Sequence, residues 1–488
     1  MANLTKEDIR SVTKIIKDLY LEDKIPWICG YSGGKDSTAV VQLVWNALKE
    51  IPENQRRKTV HIISTDTLVE SPVVAIWAKK SLERMEMQVE RDKVPVVVHP
   101  LAPTVENTFW VNLIGRGYPY PRRDFRWCTD RMKIDPANRF IKKILDAESE
   151  AIMVLGSRKA ESAVRKAVLE GYEKKRYRAH LSPNGSFPNS YVFTPIENWL
   201  NDNVWQYLLQ ESNPWGHSNK ELLAMYSGAS ADGECPLVID TSTPSCGNSR
   251  FGCWVCTMVT EDKSMAAMIQ NDEEKSWMLP MLDFRNEIAA EWQTDRDRRD
   301  FRRKDGRLTW HNERLVHGPY TKETREYFLR RLLAVEKLVH EIGPEEIREI
   351  PLITLAELRA IRQIWLDDKH EFEDSLPSIY KEITGRAYED GLISKNKYFA
   401  DAEAKLLREV CQELYPEELL LAEMQCALLD MEAKASATAN KHGLIINYEK
   451  EIKKAFYRDE EDALQIASRR ARQLASGSEG LDADDFVE

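Results

Sequence analysis

The chain has 488 residues, of which 42% are hydrophobic and 31% charged, with a formal net charge of −11. This composition excludes a mostly disordered chain, and no run reaches the roughly 18 consecutive apolar residues that a membrane helix needs. The charged, amphipathic start lacks the apolar core of a signal peptide, so the expectation is a cytosolic protein, without a membrane partner, of two to four domains at roughly 100–200 residues each.

The charge is uneven. Residues 1–250 carry 34 Lys and Arg against 31 Asp and Glu, and residues 116–178 alone carry 17 against 9. An acidic total therefore conceals a basic stretch that could meet phosphate, although a solvated basic face explains it as well.

In chain order, Thr5 caps a first helix whose apolar side includes Ile9, Val12, Ile16, Leu19 and Tyr20. Ile25–Tyr31 reads as a buried strand running into Ser32-Gly33-Gly34-Lys35-Asp36-Ser37, and the apolar run Thr38–Leu48 reads as a helix. Thr59–Ser64 is a second strand ending at Thr65-Asp66-Thr67. A helix over Ser71–Arg91, strands at Val94–His99 and Ala151–Gly156, and a shorter extended piece at Tyr191–Ile196 follow. Strands alternating with helices predict an α/β fold with a doubly wound, mainly parallel sheet, whose ligands bind at the carboxyl ends of the strands.

From about Gly228 to Thr260 the chain becomes rich in Gly, Ser, Pro and Cys. Beyond Ser264 the spacing predicts mostly helices to about Ala475, broken near Gly306, Gly318–Pro319, Gly343–Pro344 and Gly385. The expected organisation is an N-terminal helix (1–24), a nucleotide-binding domain (25–230), a Cys-rich segment (231–262), a helical region (263–475) and an acidic disordered tail (476–488).

The string at 32–37 carries chemistry. Two glycines allow a tight turn and close approach to a phosphate, and the helix that follows offers free N–H groups and the positive end of its dipole. Lys35 adds a point charge, and Ser32 and Ser37 add hydroxyls. It is not a Walker A loop, which needs Ser or Thr after Gly-Lys, where this chain has Asp36. The segment resembles the SGGxDS pyrophosphate loop of ATP pyrophosphatases, a group that includes phosphoadenylylsulfate reductases and tRNA thiolation enzymes. The resemblance implies ATP, with Mg2+, cleaved between its α- and β-phosphates, Ser32–Ser37 holding it and Lys35 acting catalytically. It also implies contacts from Asp66 to adenosine and from Arg158 to phosphate, Arg158 lying in a G-x-R-x-x-E-S-x-x-R run from Gly156 to Arg165. Asp66 reads equally as a turn residue. Thr194-Pro195-Ile196 with Trp199, Val204 and Trp205 resembles a further element of the reductase branch, and its aromatics read as core.

Arg126-Trp127-Cys128-Thr129-Asp130-Arg131-Met132-Lys133 resembles the reductase-branch RWCT element. Cations around Cys128 would favour a thiolate, which makes it a candidate sulfur-handling residue. Cys29, on the first strand, reads as core. Four of the eight cysteines, Cys235, Cys246, Cys253 and Cys256, fall in a C-x10-C-x6-C-x2-C pattern. Four thiolates fit a tetrahedral zinc site or an iron–sulfur cluster, and spacing alone slightly favours zinc.

The string CGNSRFGCWVC, in a chain with the pyrophosphate loop, is similar to DndC-type sulfurtransferases of DNA backbone phosphorothioation, over residues 25 to about 260. That resemblance implies a 4Fe–4S cluster on the four cysteines, DNA as substrate, a cysteine desulfurase as sulfur donor, and other phosphorothioation-system subunits as partners. The alternatives are a small-molecule sulfonucleotide reductase, whose ECG-type catalytic cysteine is missing here, and a tRNA thiolase, whose cluster-bearing forms carry two C-x-x-C pairs. An assembly subunit with a lapsed ATP site is a third, disfavoured by the intact Lys35, Asp36 and Ser37. Arg296–Arg307, with seven basic and three acidic residues, is a second stretch that could meet DNA or be a solvated helix face.

Overall fold

The computed structural model describes residues 4–229, 251–311, 314–389, 401–418, 420–436 and 443–475. Cys235, Cys246 and the acidic tail therefore lie outside the described residues. The described chain forms two compact units. The first takes Met1–Phe109, Pro121–Asn286 and Val339–Ile350; the second takes Trp110–Tyr120, Glu287–Leu338 and the residues after Pro351.

In the first unit, Thr5 begins helix α1 (Lys6–Glu22) through a capping box: the Asp8 N–H donates to its hydroxyl, and its own N–H donates to the Asp8 carboxylate at 2.8 Å. Strands β1 (Trp27–Gly30), β2 (Val60–Thr65), β3 (Val96–Leu101) and β4 (Ala151–Val154) lie where the alternating pattern puts them. The antiparallel edge strand β5 (Ser182–Pro183) carries no signal of its own, and β6 is Ser190–Phe193. Pro183 has no N–H to give a ladder, so this piece is confined to an edge. The sheet order is β3-β2-β1-β4-β6-β5, parallel except at β5.

Both faces of this sheet are covered, and the strand period of two explains how. Trp27 and Cys29 of β1, Val60 and Ile62 of β2, and Ile152 and Val154 of β4 join one core cluster with α1 and helices α2 (Lys35–Glu50) and α3 (Pro72–Asp92). The intervening Ile28, Ile63 and Met153 join a second cluster against helix α4 (Asp135–Glu148). Strands buried on both faces read as continuous apolar runs, as IPWICGY and TVHIIS do. Trp199, Val204 and Trp205 are buried in the first cluster, as expected of core aromatics, and so is Cys29.

The second unit is mainly helical. Its core is built on Phe328, Leu329, Leu332 and Leu333 of the helix Lys322–Ile342, and on Ile361 and Trp365 of the helix Leu355–Asp367. The segment Val111–Gly115, from the stretch between β3 and β4, is wholly buried there. The Trp365 indole donates to the Ile114 carbonyl at 3.0 Å and the Trp110 indole to that of Leu352 at 2.7 Å. A two-stranded ladder, Trp310–His311 with Arg314–Leu315, interrupts the expected helices. No helix among the described residues is long and apolar enough to cross a membrane.

Candidate functional site

Strands β1 and β4 are neighbours, yet the chain leaves them in opposite directions. From β1 it proceeds to β2 and β3 on one side; β4 continues to β6 on the other. Such a switch point opens a crevice at the carboxyl ends of the two strands, where ligands of doubly wound folds bind. The loop Ser32–Gly34 and the start of α2 leave β1 here, and Gly156–Arg158 leave β4.

The loop is shaped for an anion. Gly33 has φ +74°, and a Cβ there would come 3.1 Å from that of Ala78; the Trp77 indole donates to its carbonyl at 3.1 Å. The Ser32 N–H donates to the Ser37 hydroxyl at 3.2 Å, which donates in turn to the Gly34 carbonyl at 3.0 Å. The first backbone bond of α2 runs from Thr38 N–H to the Gly34 carbonyl. The N–H groups of Asp36 and Ser37 consequently find no acceptor among the described residues. Orphan N–H groups at a helix start, on a glycine turn with a lysine beside them, fit the phosphates of ATP.

Gly156 makes the opposite wall close: a Cβ there would stand 2.9 Å from the Asp36 carbonyl oxygen. Gly156→Ala must push β4 and α2 apart, and is expected to destabilise the protein by about 1–3 kcal/mol. Urea unfolding measures this, and an unchanged midpoint would show that the wall is not rigid.

Lys35 Nζ lies 3.0 Å from Asp36 Oδ2. The Arg158 side chain is only 4% exposed, and its Nε donates to Asp36 Oδ1 at 2.6 Å and its Nη1 to the Trp199 carbonyl at 3.3 Å. Much of the guanidinium expected to clamp phosphate is thus spent on fixing Asp36. Asp66 is exposed beyond the end of β2, and its Oδ1 accepts from the N–H of Leu68, which has φ +64°. That is an Asx turn.

Tyr226 escaped the motif reading. Its hydroxyl accepts from the Lys35 N–H at 3.3 Å, its ring lies 5.4 Å from Lys35 Nζ, and Phe251 packs on its edge at 4.7 Å. It lies four residues after buried Leu222, so an ordinary core stripe explains its spacing.

Phe251 begins the described part of the cysteine segment, which returns to the end of β2. The Ser71 N–H donates to the Gly252 carbonyl at 3.2 Å and the Trp254 N–H to that of Val69 at 2.9 Å, and Glu70 faces Cys253 in an isolated bridge. Cys253 Sγ lies 3.3 Å from the Thr67 hydroxyl oxygen. Lys133 Nζ lies 3.3 Å from Glu70 Oε1. Desolvation opposes its charge, but Cys253, Glu70 and Cys256 outweigh it and hold the ammonium above its ordinary range. Cys128 interacts with Lys133 and Cys256, so it shares one neighbourhood with the sequence-distant pair Cys253 and Cys256. Burial pushes the Cys128 thiol up and outweighs the pull of Lys133. This corrects the expectation that surrounding cations would favour its thiolate; Arg131 donates instead to Asn107 Oδ1 at 2.8 Å.

Arg285 anchors this segment. It is fully buried, and donates to the Cys256 carbonyl from Nε at 2.9 Å and Nη2 at 2.8 Å, to the Thr260 carbonyl at 2.7 Å, and to that of Val259. A signal existed: Arg285 falls on the apolar stripe of Met281, Phe284 and Ile288, where a charge has to find buried acceptors.

Cys253 and Cys256 are one turn apart, the Cys256 N–H donating to the Cys253 carbonyl at 2.9 Å. They fit two ligands of a thiolate-bound metal centre. Burial pushes the Cys253 thiol up to about 12, so it stays protonated unless a bound cation stabilises the thiolate. Among the described residues no group of three or more His, Cys, Asp or Glu could hold a metal.

The first unit is thus a doubly wound, mainly parallel α/β sheet with a glycine loop at its switch point. Residues 26–258 match the family model described as Phosphoadenosine phosphosulfate reductase domain. Two curated proteins of Methanocaldococcus jannaschii are similar to parts of the chain. The uncharacterized protein MJ0066 is 29% identical over 206 residues, 42% of this chain and 36% of its own length. The uncharacterized protein MJ0973 is 24% identical over 178 residues, 36% of this chain and 34% of its own. The matches thus span about a third of the length of these relatives. Among solved structures, the phosphoadenylyl-sulfate reductase of Candida auris aligns at TM-score 0.26 and 13% identity, covering 44% of this chain and 91% of that one. The U34-tRNA thiolase NcsA of Methanococcus maripaludis, with its [4Fe-4S] cluster, aligns at TM-score 0.27 and 13% identity, covering 58% and 78%.

Proposed function

We propose that the chain is an ATP-dependent sulfurtransferase that adenylates a DNA backbone phosphate and replaces one non-bridging oxygen with sulfur. The observation that carries this reading is the joining of two chemistries at one sheet edge. The glycine loop after β1 is linked through Tyr226 and Phe251 to the cysteine segment laid against the end of β2.

In this reading, the N–H groups of Asp36 and Ser37 and the Lys35 ammonium hold the ATP phosphates and stabilise the charge that grows as pyrophosphate leaves. A DNA phosphate oxygen attacks the α-phosphorus, giving a phosphoryl–adenylate. Sulfur at Cys128 attacks the activated DNA phosphorus, and AMP departs with the displaced oxygen. If that sulfur is the outer atom of a persulfide supplied by a cysteine desulfurase, a second thiol must cut the S–S bond and is left in a disulfide. Cys253 and Cys256, with Cys235 and Cys246, would hold a 4Fe–4S cluster, which with each iron so ligated would supply electron transfer when bound. Arg123 and Arg126 are exposed next to Cys128 and would meet the neighbouring DNA phosphates.

Mass spectrometry of nuclease-resistant dinucleotides from host DNA tests this. Phosphorothioate dinucleotides are expected in a strain carrying the chain and absent after its deletion. Equal amounts in both strains, or none in either with the partner genes intact, would overturn DNA as the acceptor.

A further inference from the structure

The second unit contains a cavity of about 170 Å3, well beyond the roughly 10–15 Å3 that admits a single water. Its wall gathers six cations from separate parts of that unit: Arg116, Arg302, Arg303, Lys304, Lys369 and Lys454. Four carboxylates, Asp300, Asp368, Glu423 and Glu451, also line it, leaving a surplus of two positive charges.

The ion pairs within the wall are unequal. Arg302 holds both Asp300 at 2.7 Å and Glu423 at 3.1 Å, and Lys454 holds Glu451 at 2.6 Å. Those pairs absorb three of the four carboxylates, and the fourth, Asp368, is exposed. Arg303 gives one N–H to the His317 carbonyl at 3.3 Å. Among the described residues the buried Arg116 Nε finds no acceptor, and the ammonium groups of Lys304 and Lys369 form no ion pair. Burial, with Arg325 adding to it, pushes the Lys369 ammonium down to about 8 against the pull of Glu371, Asp300 and Glu423. Leaving the Arg116 Nε donor unpaired and the Lys369 ammonium desolvated costs free energy that a bound anion would recover.

The rim is built to stay close to this space. Gly306 has φ +79° and faces the Lys454 backbone, where a Cβ would come within 2.7 Å of Cα. The turn is closed by bonds of 2.8 Å from Arg303 N–H to the Arg307 carbonyl and from Gly306 N–H to that of Arg303. It leaves Arg303 and Lys304 exposed at the mouth.

We propose that this cavity is a binding site for a phosphate group, with Arg116 and Lys369 as its inner ligands and Lys304 at its rim. A guanidinium fork and converging ammonium groups match the several oxygens and high charge of phosphate. The group could belong to a nucleic-acid phosphodiester or to a free phosphate or nucleotide; each presents anionic non-bridging oxygens on phosphorus. The site shares no residue with the loop after β1 and does not rest on the proposed sulfur transfer.

Equilibrium dialysis of the full chain with radiolabelled orthophosphate at fixed ionic strength tests it, in a Lys35→Ala background so that the loop after β1 contributes little. A single saturable equivalent is expected, weakened about tenfold or more (~1.4 kcal/mol) by Arg116→Ala and by Lys369→Met, and largely kept by Lys369→Arg. Circular dichroism and unfolding midpoints check that the variants fold. Should the inner variants not fold, the exposed rim variant Lys304→Ala is expected to weaken binding severalfold. Competition by a short oligonucleotide identifies the phosphodiester source, and competition by pyrophosphate or nucleotide alone identifies the free one. Absence of binding, or binding indifferent to these substitutions, overturns the proposal.

Discussion

Lys35→Ala is expected to lower ATP–pyrophosphate exchange by about a hundred- to a thousandfold, the usual cost of removing one preorganised donor from developing charge. Lys35 sits 3.0 Å from the Asp36 carboxylate and 5.4 Å from the Tyr226 ring centre. The nearby guanidinium of Arg158 cannot readily replace it, being held by Asp36 and the Trp199 carbonyl. Without Lys35, the Asp36 carboxylate also faces the incoming phosphates with less neutralisation. The backbone turn and the Ser32–Ser37 bonds need no lysine side chain, so the circular dichroism spectrum should match that of the parent. Exchange within a fewfold of the parent rate, measured with DNA and a sulfur donor present, would remove Lys35 from the chemistry.

Cys253→Ala is expected to strip most of the iron from anaerobically purified protein and with it the brown colour of the cluster. Cys253 lies between Thr67, Glu70 and Lys133, on a segment tied to the end of β2 by backbone bonds and anchored behind by Arg285. Burial pushes its thiol up to about 12, so it becomes a thiolate ligand only when a bound cation stabilises the charge. Cys411→Ala, in a buried position of the second unit, is the matching control and should keep its iron. Undiminished iron in Cys253→Ala, or about one zinc and no iron in the parent, would defeat the cluster assignment.

Much of the first unit can be read from sequence because its signals are local. Ile25–Tyr31 and Thr59–Ser64 are apolar on both strand faces, and that pattern alone implies a sheet covered twice. The Gly33-Gly34 turn is legible because left-handed backbone favours glycine, and Gly33 adopts it. The edge strand at Ser182–Pro183 is not legible, since its two residues gain their conformation from β6 rather than from any pattern of their own.

The site divides the same way. The residues proposed to hold phosphate through backbone and charge sit in one six-residue string, so Ser32 to Ser37 could be named at once. The likeness of Arg126–Lys133 to a known element marks Cys128 as a candidate sulfur residue, but burial pushes its thiol up despite the flanking charges. Desolvation depends on how the chain closes over Cys128, and adjacent arginines do not reveal that.

What the sequence by itself determined is the alternation of strands and helices, the phosphate-shaped turn and the clustering of cysteines, all set by interactions over a few residues. Only the tertiary structure decided that Cys128 and Cys256 share a neighbourhood, that Arg158 turns inward to Asp36, and that Arg285 anchors the cysteine segment. It also decided that Val111–Gly115 is buried in the second unit. These contacts join residues from 29 to 251 positions apart. Close packing and the need to pair buried polar groups select them once the whole chain has closed.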